Sequence, residues 1–136
     1  MKQVVILYAS ETGTAEEFAE QIGRTCERHG IEAPVLPMDE YNVQNLPTEQ
    51  FVVFVVATTG AGEMPANGLR FWRFLLRKDL PSHSLTRTHV ALCGLGDSGY
   101  KEFNFAAKKL YRRLLQLSAS FLVDPAYGDD QSVQGM

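Results

Sequence analysis

Phe51-Val52-Val53-Phe54-Val55-Val56-Ala57 is apolar at every position and rich in β-branched side chains. A strand with one solvated face alternates polar and apolar residues. One that never alternates is covered on both faces, as in the middle of a parallel sheet with helices on each side. This segment therefore marks the centre of a layered α/β domain.

The rest of the chain alternates strand and helix around that centre. Val4 to Tyr8 predicts the first strand, and Ala15, Phe18, Ala19, Ile22 and Cys26 recur at helical spacing behind it. Gly30 after His29 marks the helix end; Ala33 to Leu36, closed by Pro37, is a weak second strand, and Asp39 to Leu46 fits one short helix. Leu69, Trp72, Leu75 and Leu76 form one face of a further helix, with Arg70, Arg73 and Arg77 opposite and Pro81 beyond its end. Thr88 to Cys93 reads as the fourth strand. From Phe103 to Leu117, an apolar stripe of Ala106, Ala107, Leu110, Tyr111, Leu114 and Leu117 faces away from Lys108, Lys109, Arg112, Arg113 and Gln116. Ser120 to Val123 reads as the fifth strand. Five strands with helical crossovers predict a doubly wound α/β fold, and the central third strand favours the flavodoxin-like order 2-1-3-4-5. The final strand calls for a helix behind it, yet Asp124 to Met136 has no amphipathic stretch. A fragment of a longer chain is expected, lacking that helix and with some apolar surface under-covered.

With 136 residues, 45% hydrophobic and 21% charged, one domain with a real core is expected. A net charge of -3 argues against a nucleic-acid partner. The first apolar run is too short for a signal-peptide core or a membrane span, which predicts a cytoplasmic protein without a membrane partner. Cys26 and Cys93 read as reduced core residues, and His29, His83 and His89 share no ligand spacing, so no metal is expected.

Three loops fall at the carboxyl ends of the strands, where open parallel sheets bind ligands. The first, Ser10-Glu11-Thr12-Gly13-Thr14-Ala15, offers three hydroxyls, backbone N–H groups and a helix N-terminus but no lysine. That suits a tightly held monophosphate, not a transferred one; a plain N-cap with a polar turn is the alternative. The second, Thr58-Thr59-Gly60-Ala61-Gly62-Glu63-Met64-Pro65, lets backbone approach a flat ligand or simply connects strand to helix. The third, Gly94-Leu95-Gly96-Asp97-Ser98-Gly99-Tyr100, is formally G-x-G-x-x-G. A dinucleotide fold needs another half-sheet, for which the chain has no room. Tyr100 at the loop tip is placed either to stack on a ring or to cover the following helix start. No catalytic residue is expected. Glu16 and Glu17 point in different directions on the helix, and Ser98 has no histidine near it in sequence.

Together, SETGTAEEF, ATTGAGEMPANG and GLGDSGYKEFN resemble the FMN-binding domain of the diflavin reductases, the family of cytochrome P450 reductase, over nearly the whole chain. LRFWRFLLRKDLP, FNFAAKKLYRRLLQL and GDDQ look specifically like the NADPH-dependent subgroup that reduces anamorsin, an iron-sulfur protein of cytosolic cluster assembly. The resemblance implies FMN here, with an FAD/NADPH reductase module in cis and an anamorsin-like acceptor. It puts the FMN phosphate on Ser10, Glu11 (through its backbone), Thr12, Gly13, Thr14 and Ala15. Ala57, Thr58, Thr59 and Gly60 would line one side of the ring. The other side would take Leu95, Gly96, Asp97, Ser98, Gly99, Tyr100, Lys101, Glu102, Phe103 and Asn104, with Tyr100 stacking and Asp130 near the polar edge. Thr59 stands where P450 reductases have tyrosine, a departure the anamorsin-reducing subgroup shares, and Gly99 stands where close relatives have serine. Gly60 would carry the carbonyl that turns toward flavin N5. Acidic surroundings, Glu11, Glu63, Asp97, Glu102, Asp129 and Asp130, favour a strongly reducing flavin. The basic stripes of the two long helices are either solvated faces or a dock for the reductase half. A free-standing flavodoxin, an FMN-dependent quinone reductase and a non-redox phospho-ligand module are the competing readings.

Overall fold

A computed structural model describes residues 3–58, 63–96 and 104–129. The apolar run forms β3 (Phe51–Ala57), flanked by β1 (Val5–Ala9) and β4 (His89–Gly96), both parallel to it. β2 (Val35–Pro37) lies outside β1, and β5 (Ser120–Phe121) outside β4, giving the expected order β2-β1-β3-β4-β5. Register is continuous across the centre: Val5 pairs with Val52 and Val52 with Val90.

The crossovers are α1 (Thr14–Arg28), α2 (Leu69–Leu75) and α3 (Phe105–Gln116). On one side of the sheet, Val52, Phe54 and Val56 pack with Phe71, Leu75, Leu110 and Leu114 of α2 and α3. On the other, Ile6, Tyr8 and Val55 pack with Ala15 and Ala19 of α1. Burial on both faces is what the unbroken run of β3 predicts. Gly30 ends α1 in a left-handed conformation (φ 77), its N–H bonded to the Glu27 carbonyl at 3.0 Å. Cys26 and Cys93 are free, half-buried thiols. Burial pushes the Cys93 pKa up. Among the described residues no cluster of three potential metal ligands occurs, and no helix is long and apolar enough to cross a membrane.

Several expectations need correction. The fifth strand is not one segment over 120–123. It pairs with β4 at His89 and Val90, breaks, and resumes as β6 (Ala126–Asp129) beside Cys93 to Gly96. Pro125 has no N–H for the ladder, and Leu122 and Val123 turn outward, 54% and 64% exposed. The helix expected over 39–46 is two 3-10 turns, Met38–Glu40 and Val43–Thr48, because Tyr41 is extended and Asn42 caps the second turn through the Gln44 amide at 3.2 Å. Asp39 serves another element. Its carboxylate accepts from the Arg70 and Phe71 amides at 3.2 and 2.8 Å, closing the N-terminus of α2. That helix buries Phe71 and Leu75, with Phe71 edge-on to Phe54 at 5.8 Å, while Leu76 is 49% exposed rather than part of the buried face. β2 covers 35–37 rather than 33–36. β4 continues through Gly94-Leu95-Gly96, so half of the formal third loop is strand. On the α1 side of the sheet Phe51, Val53, Ala91 and Cys93 are only half-buried.

Candidate functional site

The chain leaves β1 at Ala9 and reaches α1 through a loop ending in Gly13, which is left-handed (φ 89) and gives no side-chain cap. The first intrahelical bond there is from the Glu17 amide to the Gly13 carbonyl, 3.0 Å. The amides of Thr14, Ala15 and Glu16 thus have no intrahelical partner. The hydroxyls of Thr12 and Thr14 lie 3.3 Å apart beside them, and no atom stands within 4 Å of where a side chain on Gly13 would begin. This is an open cradle of neutral donors at the positive end of a helix, the arrangement that holds an anion. Glu16 lies in the first turn of α1, and the Tyr8 hydroxyl donates to its carboxylate at 3.1 Å. Burial and that bond push the Tyr8 pKa up to about 12.

Two side-chain contacts tie the loops together. The Ser10 amide, on a residue only 9% exposed, donates to the Asn67 side-chain oxygen at 3.0 Å, joining the first loop to the end of the second. Thr58 bonds through its amide to the Leu95 carbonyl at 3.0 Å, while its hydroxyl accepts from the Ala106 amide at 3.1 Å. Thr58 therefore caps α3 from a distance, joining the second loop to the helix after the third. Gly68 makes the first junction possible, since a Cβ there would stand 2.9 Å from that of Ala9.

Gly94 and Gly96 have the same kind of cause. A Cβ at Gly94 would lie 2.7 Å from Ala107 and 2.8 Å from the Asn104 side-chain oxygen; one at Gly96 would lie 3.0 Å from the Asn104 amide. Asn104 is fully buried and left-handed (φ 53) at the start of α3. The glycines seat α3 on β4, which accounts for the formal G-x-G without a dinucleotide.

Of the expected site residues, Ser10 to Ala15 stand together, Ala57 ends β3 with Thr58 directly after it, and Leu95 and Gly96 end the adjacent β4. Ala15 and Leu95 turn their side chains into the α1-side core, and Asn104 supports β4 from beneath. Thr59, Gly60, Asp97, Ser98, Gly99, Tyr100, Lys101, Glu102, Phe103 and Asp130 lie outside the described residues. Asn67 is the contributor that the sequence reading missed. Its signal is an amide side chain just before a glycine and a helix start, inside a motif already noted for other residues.

A parallel 2-1-3-4-5 sheet with an uncapped, hydroxyl-rich first crossover defines the class of flavodoxin-like phosphate binders. The flavodoxin profile matches residues 6–136, and the chain belongs to the flavodoxin family, whose cofactor is FMN. The donors of the first loop fit the FMN phosphate, being neutral, clustered and open. The chain is 54% identical over 94% of its length to NADPH-dependent diflavin oxidoreductase 1 of Danio rerio, and 51% over 98% to that of Mus musculus. It spans 22% of the length of each of these relatives. Among solved structures it resembles a cysteine-to-alanine mutant of flavodoxin from Pseudomonas aeruginosa, with a TM-score of 0.80 and 28% identity over 96% of this chain and 86% of that one. A short-chain flavodoxin associated with a bacterial microcompartment shares the fold at the same TM-score, with 22% identity over 95% of this chain and 84% of its own.

Proposed function

We propose that this chain is the FMN-binding electron-transfer domain of an NADPH-dependent diflavin oxidoreductase. It takes electrons from an FAD/NADPH module and passes them singly to an iron-sulfur acceptor of the anamorsin type in the cytosol. The observation that carries this reading is the open cradle at Ser10 to Ala15, tied through Asn67 and Thr58 to the loops after β3 and β4. When bound, FMN supplies the electron chemistry. Ser10, Thr12, Thr14 and the first amides of α1 hold the phosphate. By the family resemblance, Ala57, Thr58, Thr59 and Gly60 would border one side of the ring and the stretch from Leu95 to Asn104 the other, with Asp130 at the polar edge. On the same ground, Gly60 would offer its carbonyl toward N5 and Tyr100 would stack on the ring, a contact worth roughly 0.5–1.5 kcal/mol.

The experiment mixes FMN-loaded chain with NADPH, with and without an FAD/NADPH module, and follows the flavin absorbance. Bleaching that requires the module, followed by one-electron reduction of an iron-sulfur acceptor, is the expected result; bleaching by NADPH alone indicates a quinone-reductase type instead. Tyr100→Ala should weaken FMN and alter its fluorescence quenching, and unchanged affinity removes the stacking role. Gly60→Ala should shift the one-electron midpoint potential, and an unchanged redox titration removes the carbonyl role.

A further inference from the structure

Eight of the thirteen lysines and arginines lie on α2, α3 and the residues just after α2. The stretches 69–78 and 105–117 contain no acidic residue at all, although the chain carries a net charge of -3. Glu63 and Asp79 stand at the two ends of this basic region, Asp79 paired with Arg77 at 2.7 Å. Acidic side chains collect elsewhere, as at Glu16, Glu17, Glu20 and Glu27 of α1.

Between α2 and α3 run two adjoining cavities of about 270 and 320 Å³. They share Trp72 and Lys109 as walls and so form one trough. The upper end lies at Glu63, Met64 and Ala106, beside Thr58, which follows β3; the lower end lies at Arg112 and Gln116. Half-buried Trp72 and half-exposed Leu76 give it an apolar floor. Arg73, Lys109 and Arg112 are exposed along its rims. Arg113 is otherwise engaged. Its guanidinium donates to the Leu75 and Arg77 carbonyls and thereby fixes the end of α2 to α3, so the trough has a rigid frame.

We propose that this trough is a docking groove for an acidic polypeptide segment of a partner protein. Such a segment sets apolar side chains on Trp72 and Leu76 and carboxylates against Arg73, Lys109 and Arg112. An apolar floor between cationic rims suits a segment that mixes both side-chain types. A nucleic acid fits less well, since its unbroken row of phosphates would meet the Glu63 carboxylate at the upper end. Because the upper end reaches Ala106 and the end of the second loop at Glu63 and Met64, a seated segment keeps its parent protein next to the cofactor loops. Most of the groove is built from α2 and α3, with only Glu63 and Met64 drawn from the second loop, and the peptide test needs no FMN, so a failure to bind FMN leaves this proposal standing and testable.

The test is fluorescence anisotropy of the whole chain with a labelled synthetic peptide of Glu interspersed with Leu and Phe. The peptide should bind at low salt and weaken as salt rises. Combined Arg73→Glu, Lys109→Glu and Arg112→Glu should cost about tenfold or more in affinity, and Leu76→Ser should weaken binding at unchanged charge. The equal charge change at Arg24→Glu, Arg28→Glu and Arg87→Glu should leave peptide affinity within about twofold. The proposal is overturned if wild-type chain does not bind the peptide, if both triple variants bind alike, or if poly-uridylate RNA binds more tightly.

Discussion

The amide of Ser10 and the side-chain oxygen of Asn67 meet at 3.0 Å, which fixes the first loop of the site to the turn that begins α2. Asn67→Ala leaves a buried N–H without its acceptor, a loss of about 1–3 kcal/mol. FMN titrated by fluorescence should bind roughly five- to a hundred-fold more weakly, by the same conversion. Asn67→Asp keeps an acceptor in place and should recover stability in urea, while its charge beside the phosphate keeps FMN binding weak. Equal affinity in the alanine variant would show that the loop holds its shape unaided.

Thr58 does for α3 what Asn67 does for the first loop. Its hydroxyl accepts from the Ala106 amide, and Thr58→Val removes a helix-capping acceptor worth about 1–2 kcal/mol. Urea denaturation should show that loss, and Thr58→Ser should restore most of it. Indistinguishable midpoints for Val and Thr would contradict the capping role.

Gly94 tests why the third motif contains glycines. A methyl group there stands 2.7 Å from Ala107 and 2.9 Å from the Tyr127 ring. Gly94→Ala should destabilise the fold by about 1–3 kcal/mol through overpacking. Wild-type chain should show no saturable NADH binding at this loop. An alanine variant as stable as wild type would remove the packing explanation.

Two tyrosines set the alkaline limit. Tyr8 is raised to about 12 and Tyr41 is raised further, each by burial first and then by donating to a carboxylate, Glu16 at 3.1 Å and Glu49 at 2.6 Å. Above pH 10, the ordinary tyrosine value, the unfolded chain sheds these protons before the folded one does. Stability is therefore full below pH 10 and falls as pH rises toward 12 and beyond. Denaturation midpoints at rising pH should decline less steeply in Tyr8→Phe and Tyr41→Phe, and an unchanged slope in both would refute the assignment.

How much of this is legible in the sequence depends on the range of each interaction. The unbroken run at Phe51 to Ala57 and the hydroxyls around Gly13 are local patterns, and both carry straight into β3 and the open first turn of α1. The roles of Asn67, Thr58 and Asp39 arise only when segments 31 to 57 residues apart come together. Periodicity has no access to such pairings. The break between β5 and β6 hinges on Pro125 lying inside a segment whose remainder still finds partners on β4. Gly94 and Gly96 match a dinucleotide pattern for a packing reason that appears only once Asn104 is placed against them.

The central claim is that this chain holds FMN by its phosphate, without a cation. Calorimetric titration of purified chain with FMN and with riboflavin tests it most directly. Hydrogen bonds to a charged group are worth roughly 1.5–3 kcal/mol each, so two or more should make FMN at least about a hundred-fold tighter than riboflavin. Equal affinities, or no binding of either, would contradict the account.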